Sequence, residues 1–280
     1  MSQFTPFSLN IKGKLRTFTR PLVMGILNVT EDSFFAGSRT GSIEAIERRV
    51  LEMTNAGADI IDIGGCSTRP GFVAPDADEE WRRVKTAWEI VKALKPEEVL
   101  VSVDTFRGSV ARLSVEAGID ILNDISAFTL DDDMFDAVVE LNVPYVLTHP
   151  SVTSLTPETD AAGTQAVVLR ELGSVLQRLT SAGVSDVILD PGLGFGKTVA
   201  QNYALVGGLD ALNVLGCPVL VGASRKSMIY KPLGLTPDDA LPGTVAISTV
   251  ALLKGASILR VHDVAACRQT VEVVRMIKSS

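Results

Sequence analysis

Eight short, β-branched apolar runs recur along the 280-residue chain, and a stretch with helical periodicity follows each. The runs lie near residues 21–27, 59–63, 98–103, 119–122, 143–147, 186–189, 217–221 and 256–260. Each is long enough for a buried strand and too short for a packed helix. The helical patterns occupy 42–56, 79–95, 107–117, 133–141, 164–182, 201–213, 243–254 and 263–277. In the first of them Ile43, Ile46, Val50 and Met53 share one face, while Glu47, Arg48 and Arg49 point to water. The segments AGAD, AGID and AGVSD separate a helix from the next strand, with Gly suited to the left-handed position after a helix. Parallel strands covered on both faces read as continuous apolar runs, so eight strand–helix repeats predict a (β/α)8 TIM barrel. A doubly wound sheet is the rival. The first twenty residues read as a short strand or hairpin turning at Lys12-Gly13-Lys14. No boundary interrupts the rhythm, so a single domain over 1–280 is expected, with the barrel proper at about 21–278.

A content of 46% hydrophobic and 21% charged residues suits a globular chain with a large core and excludes a disordered one. The formal net charge of −7 opposes binding to nucleic acid or an anionic membrane through a broad basic face, yet leaves room for a small anion held by a local cluster. Cys66, Cys217 and Cys267 have no metal-like spacing and suit a reducing compartment. No run approaches the ~20 apolar residues of a membrane span, and MSQFTPFSLNIKGK lacks the apolar core of a signal peptide. A cytoplasmic protein is expected.

Polar residues fall at the C-terminal ends of the runs. They are Asn28 after the first, Thr68 and Arg69 after the second, Asp104 after the third, Asn123-Asp124 after the fourth and His149 after the fifth. Asp190 follows the sixth, Ser224-Arg225-Lys226 the seventh, and Arg260-Val261-His262 ends the eighth. In a barrel these ends converge on one mouth. Singly, each has a plainer reading: Asp104 and Asp190 as helix caps, Asn123 closing a turn, Arg260 and Lys226 as solvated charges, His262 as a structural histidine. Together they describe a pocket. Asp104, Asn123, Asp190 and Lys226 suit the edge of a flat heterocycle, while Arg69, Arg260 and His262 suit phosphate. The segment DPGLGFGKT (190–198) is not a Walker loop, because Pro191 stands where the first Gly is required. Lys197 reads as a solvated or loop-tethering charge.

Seven ordered blocks carry a family likeness: MGILNVTEDSF (24–34), GADIIDIGGCSTRPG (57–71), SVDTF (102–106), NDIS (123–126), LDPGLGFGK (189–197), GASRKS (222–227) and RVHDV (260–264). In these the chain resembles the dihydropteroate synthase family over nearly all of residues 21–278. The resemblance implies an eight-stranded barrel. It also implies condensation of 6-hydroxymethyl-7,8-dihydropterin diphosphate with 4-aminobenzoate, giving 7,8-dihydropteroate and diphosphate with Mg²⁺, in a homodimer. By the same resemblance Asp104, Asn123, Asp190 and Lys226 hold the pterin, and Asn28 takes the Mg²⁺ and diphosphate position. Arg69, Arg260 and His262 contact the anion, Thr68 and Ser227 border the aminobenzoate site, and Asp32 helps stabilise a cation when the first loop closes.

Several positions depart from the family pattern. Glu31 replaces a usual Pro, FAGS replaces SDGG, Cys66 stands at a usual Glu, and Met228 replaces a common Phe. The TEDSFF form resembles sulfonamide-insensitive members. LTHPSV replaces a pattern like LMHMxG, so Thr148 and Pro150 remove two methionines, and Phe195 or groups near Leu220 are expected to rebuild that wall. Two other functions stay open: a pterin-binding methyltransferase domain, and a non-catalytic paralogue that binds a pterin.

Overall fold

The computed structural model describes residues 4–30, 39–66 and 74–279. The chain begins with an antiparallel hairpin, β1 (Phe7–Ile11) and β2 (Lys14–Phe18). Its turn holds Lys12 at φ 52° and Gly13 at φ 79°. Left-handed geometry at both central residues matches the twist of the paired strands, and Gly adopts it without strain. Lys12 Nζ donates to Gly118 O at 2.7 Å and pairs with Asp120 at 2.6 Å, while Arg16 donates to Glu98 O at 3.0 Å. These contacts sew the hairpin to the helix-to-strand connections.

The repeats follow as β3 (Leu22–Asn28), α1 (Arg39–Asn55), β4 (Ile60–Gly64), α2 (Ala77–Leu94), β5 (Leu100–Asp104), α3 (Gly108–Glu116), β6 (Ile121–Asp124) and α4 (Asp133–Leu141). Then come β7 (Tyr145–Thr148), α5 (Ala161–Ser181), β8 (Val187–Asp190), α6 (Val199–Gly207), β9 (Leu220–Val221), α7 (Ser227–Tyr230), α8 (Leu241–Leu253), β10 (Ile258–Val261) and α9 (Val264–Ser279). All eight barrel strands pair in parallel in the order β8-β7-β6-β5-β4-β3-β10-β9, and one bridge between Leu189 and Val219 joins the two ends. This is a (β/α)8 barrel, and the meeting of its ends excludes the doubly wound sheet.

Some local expectations change. The pattern at 201–213 is two elements, α6 and a 3-10 segment Leu209–Leu215. Gly207-Gly208 separates them, and Gly208 lies so close to α5 that a Cβ would stand 2.1 Å from Gln165 Nε2. The short α7 has too few residues to show a period. On α1, Ile46, Val50 and Met53 are buried as expected, but Ile43 is exposed. Arg49 does not simply face water, because its guanidinium donates to the His262 carbonyl.

Side chains alternate across each strand, and the two faces meet different neighbours. Outward residues such as Val23, Ile61, Val101, Leu147, Leu189 and Leu259 pack against the helices in the main core. Inward residues Leu22, Met24, Ile60, Leu100, Ile121, Val146, Ile188, Leu220 and Ile258 meet Leu9 and Ile11 of the hairpin. They form an apolar floor at the N-terminal end of the barrel. Further along, the same inward face turns polar through Asp62, Ser102, Asp104, Asn123, Thr148, Asp190 and Arg260. Among the described residues, no helix is long and apolar enough to cross a membrane, and no disulfide joins the three cysteines.

Candidate active site

Strand register builds the first half of the site. Asn28, Gly64, Asp104 and Asn123 stand side by side across β3, β4, β5 and β6. These residues are the last or next-to-last of their strands. A Cβ on Gly64 would lie 3.1 Å from Asn28 Oδ1 and 3.6 Å from Asp104 Cβ, so this glycine keeps open the space between them. On the other side, Gly222 lies between Asp190 and Arg260, within 3.8 Å of both by the same measure.

One acid that the sequence reading did not single out organises this layer. Asp62 is fully buried and accepts from Ser102 Oγ on one oxygen. Its other oxygen accepts from Arg260 Nε at 2.6 Å and from Asn123 Nδ2 at 3.1 Å. Arg260 Nη2 in turn donates to Asp104 Oδ2 at 2.7 Å. Because only the amide nitrogen of Asn123 can donate to a carboxylate, its oxygen is left as an acceptor. Burial opposes the charge on Arg260, but Asp62 and Asp104 outweigh it and raise its pKa. Burial pushes the Asp104 carboxyl up to about 7, against the pull of Arg260 and with the help of Asp62. The site therefore offers a carboxyl that can either donate or accept near neutral pH. The signal for Asp62 lay in DIIDI: a charge two positions along a pleated strand from an apolar floor residue must be paired.

The loop after β8 builds the second half. Asp190 Oδ1 accepts from Gly192 N at 2.7 Å, and burial raises its pKa while Lys226 opposes the rise. Lys226 Nζ donates to Leu193 O at 2.5 Å and lies 4.4 Å from the centre of the Phe195 ring. Burial lowers Lys226 to about 8, with Asp190 holding it up. The loop depends on Gly192 at φ 69°, where a Cβ would stand 2.0 Å from the His149 carbonyl oxygen. Lys197 is a tether: its ammonium donates to Gly192 O at 2.9 Å, Phe195 O at 3.0 Å and His149 O at 3.4 Å. The loop ends in a capping box, in which Gln201 N donates to Thr198 Oγ1 at 3.2 Å and Thr198 N to Gln201 Oε1 at 2.9 Å. Thr198→Ala is expected to cost about 1 kcal/mol, read as a lower urea midpoint at unchanged slope. An unchanged midpoint would show that the box does not stabilise α6.

At the remaining edge, Ser224 Oγ accepts from the His262 backbone N–H at 3.1 Å and lies 3.1 Å from Nδ1 of its ring. The hydroxyl and Nδ1 are thus within hydrogen-bond reach, and the ring's tautomer sets which of them donates. Burial, reinforced by Arg260, lowers His262 to about 4. Burial thus favours the uncharged imidazole of His262 in this pocket. Arg225, at φ 54°, is tied to Asp263 by bonds of 2.8 and 2.9 Å and holds this loop in place.

Several expectations shift by one pleat. His149 follows Thr148, so it faces outward, and its Nε2 meets Glu171 of α5 at 2.9 Å. Asp124 likewise faces outward, accepting from Ser126 N at 2.7 Å and Tyr145 OH at 2.8 Å. Neither belongs to the pocket. Helix capping is not the role of Asp104 or Asp190, since the residues before α3 and α6 are Arg107 and Thr198. Asn123 closes no turn, because its amide is spent on Asp62. Arg260 is bound into the acids of the first half through Nε and Nη2. Ser227 opens α7, and Met228 is buried in the core. Leu220 belongs to the apolar floor, and Phe195 carries Lys226. Asp32, Thr68 and Arg69 lie outside the described residues.

The chain is similar to known proteins in sequence and fold. The family described as "Pterin binding enzyme" matches residues 24–262. A dihydropteroate synthase of Clostridium beijerinckii is 41% identical over 249 residues, covering 88% of this chain and 90% of that protein. The structure of a Xanthomonas albilineans dihydropteroate synthase with 4-aminobenzoic acid superposes with a TM-score of 0.90 at 38% identity, covering 99% and 100% of the two chains. The Xanthomonas albilineans enzyme in complex with 7,8-dihydropteroate gives a TM-score of 0.85 at 36% identity, with 98% and 99% covered. With this extent of shared sequence and fold, the chain belongs to the dihydropteroate synthase family of pterin-binding enzymes.

Proposed function

We propose that this protein is a dihydropteroate synthase that condenses 6-hydroxymethyl-7,8-dihydropterin diphosphate with 4-aminobenzoate. The observation that carries this reading is a layer of buried Asp62, Asp104, Asn123 and Asp190, with half-buried Lys226 and Arg260, above an apolar floor. A flat ring with amino, amide and ring-nitrogen edges matches its acceptors and its ammonium. In the reaction the methylene C–O bond to diphosphate breaks and a C–N bond to the arylamine forms, with the amine losing a proton. Asp190 and Asp104 favour the electron-poor ring that develops, and the His262 N–H faces the departing anion. No enzyme nucleophile is required. The residues Asp32, Thr68 and Arg69 are assigned to the same site, with Asp32 supporting the cation, Arg69 the anion, and Thr68 and Ser227 the aminobenzoate.

Asn28 is the residue proposed to hold Mg²⁺. It offers one amide oxygen beside Asp104 at the mouth, and Mg²⁺ takes few protein oxygens when substrate phosphates fill its other positions. When bound, the ion would offset the charge of the leaving diphosphate. An exposed apolar strip supports a homodimer: Val250 and Leu253 on α8, with Val273, Met276 and Ile277 on α9. A cytoplasmic location is part of the same proposal, as is a lowered response to sulfonamides, for which the Glu31 and Met228 departures are the support.

Diphosphate release should require both substrates and Mg²⁺, and mass detection should find 7,8-dihydropteroate. Repeating the assay with a sulfonamide tests the drug reading separately. Pterin binding without product would favour a non-catalytic paralogue, and no pterin binding would overturn the site.

A further inference from the structure

Thr148 occupies an unusual position in this pocket. It follows Val146 of the apolar floor by two residues and therefore points inward, and it pairs in register with Asp190 of β8. The residue is 1% exposed, and its Oγ1 has no hydrogen-bond partner among the described residues. A buried hydroxyl ordinarily finds a partner on its own backbone or a neighbour, and leaving one unmade carries a desolvation penalty. Asp190 Oδ1 takes the Gly192 amide, Asn123 Nδ2 is spent on Asp62, and Lys226 is bound to Leu193 O.

We propose that Thr148 is a specificity-determining contact for the heterocycle, its hydroxyl making a hydrogen bond to the ring edge beside the one Asp190 receives. The inference rests on the pterin reading above and deepens it. A hydroxyl differs from its neighbours in being able to donate or accept as the ring requires. Asp190 and Asn123 Oδ1 present acceptors and Lys226 presents a donor. Thr148 therefore adds an adaptable partner at a position where an apolar side chain would only touch the ring. Discrimination should fall on rings that carry a nitrogen or oxygen at that edge, against rings of the same shape with carbon there.

The probe is 6-hydroxymethyl-7,8-dihydropterin, titrated calorimetrically into the wild type, Thr148→Val and Thr148→Ser, with thermal melts of the ligand-free proteins. Val keeps the shape and loses the hydroxyl. It should weaken pterin binding roughly tenfold while leaving the melting temperature unchanged or raised, because an unpaired buried hydroxyl has been replaced by a methyl group. Ser should bind within about threefold of the wild type. In the full reaction the KM for 4-aminobenzoate should be the same for all three. Val binding the pterin as tightly as the wild type would overturn this inference alone. So would a Ser variant as weak as Val, since the methyl rather than the hydroxyl would then matter. Failure of the wild type to bind the pterin would instead overturn the proposed function, and this inference with it.

Discussion

Asp190→Asn is expected to lower kcat/KM by about 10²–10⁴-fold with the barrel still folded. The fold survives because the Asn oxygen can keep the 2.7 Å bond from Gly192 N, so the loop geometry is retained. Chemistry suffers twice. With Asp190 receiving the N–H edge of the ring as proposed, an amide N–H₂ in its place would oppose donors to donors in a buried site. The lost charge also removes the larger of the two acids that hold Lys226 up, so its pKa falls further and less of it is an ammonium at neutral pH. Steady-state kinetics alongside a thermal melt checks both parts. An Asn variant within a few-fold of the wild type would remove Asp190 from the site.

Arg260→Met should be the most damaging single change to stability in the pocket. Arg260 is bonded to Asp62 at 2.6 Å and to Asp104 at 2.7 Å, and removing it leaves two acids buried without their cation. Breaking a buried pair from one side costs about 3–5 kcal/mol. The loss should depend on pH in a definite direction. Asp104 already sits at about 7 with Arg260 present, and it rises further without it. A carboxyl whose folded pKa is raised binds more protons folded than unfolded, so its penalty shrinks as pH falls below the folded value. Urea unfolding at pH 8 and pH 6 should show the variant regaining stability relative to wild type at the lower pH, with activity lost at both. A deficit that is equal at the two pH values would mean that the acids find another partner.

The architecture was legible because parallel strands in a barrel are covered on both faces and helices are not. Apolar runs of four to seven residues and amphipathic stretches therefore divide the chain cleanly, down to the Lys12-Gly13 turn. What the runs hid was the facing of residues at their ends. Thr148 and His149 are adjacent in sequence, yet one points into the barrel and the other meets Glu171. Asn123 and Asp124 divide in the same way. Counting by two from the floor residues Val146 and Ile121 would have separated them. Asp62 escaped for the opposite reason: it stands inside a run rather than at its end, where strand propensity reads through a single acid. The Gly207-Gly208 break was not legible as a helix end, since its cause is the close approach of Gln165, a contact distant in sequence.

The barrel is not equally strong all the way round. β3 and β4 share five register pairs, whereas β8 meets the two-residue β9 through the single bridge of Leu189 and Val219. That weak joint separates Asp190 on one side from the loop carrying Lys226 on the other. Local opening of a fold begins where fewest bonds must be broken, so this seam is where the cylinder is expected to open first, as hydrogen exchange would show. A ring held by both residues, as proposed above, would bridge the seam like a clasp, so that part of the binding energy would go into making the cylinder whole.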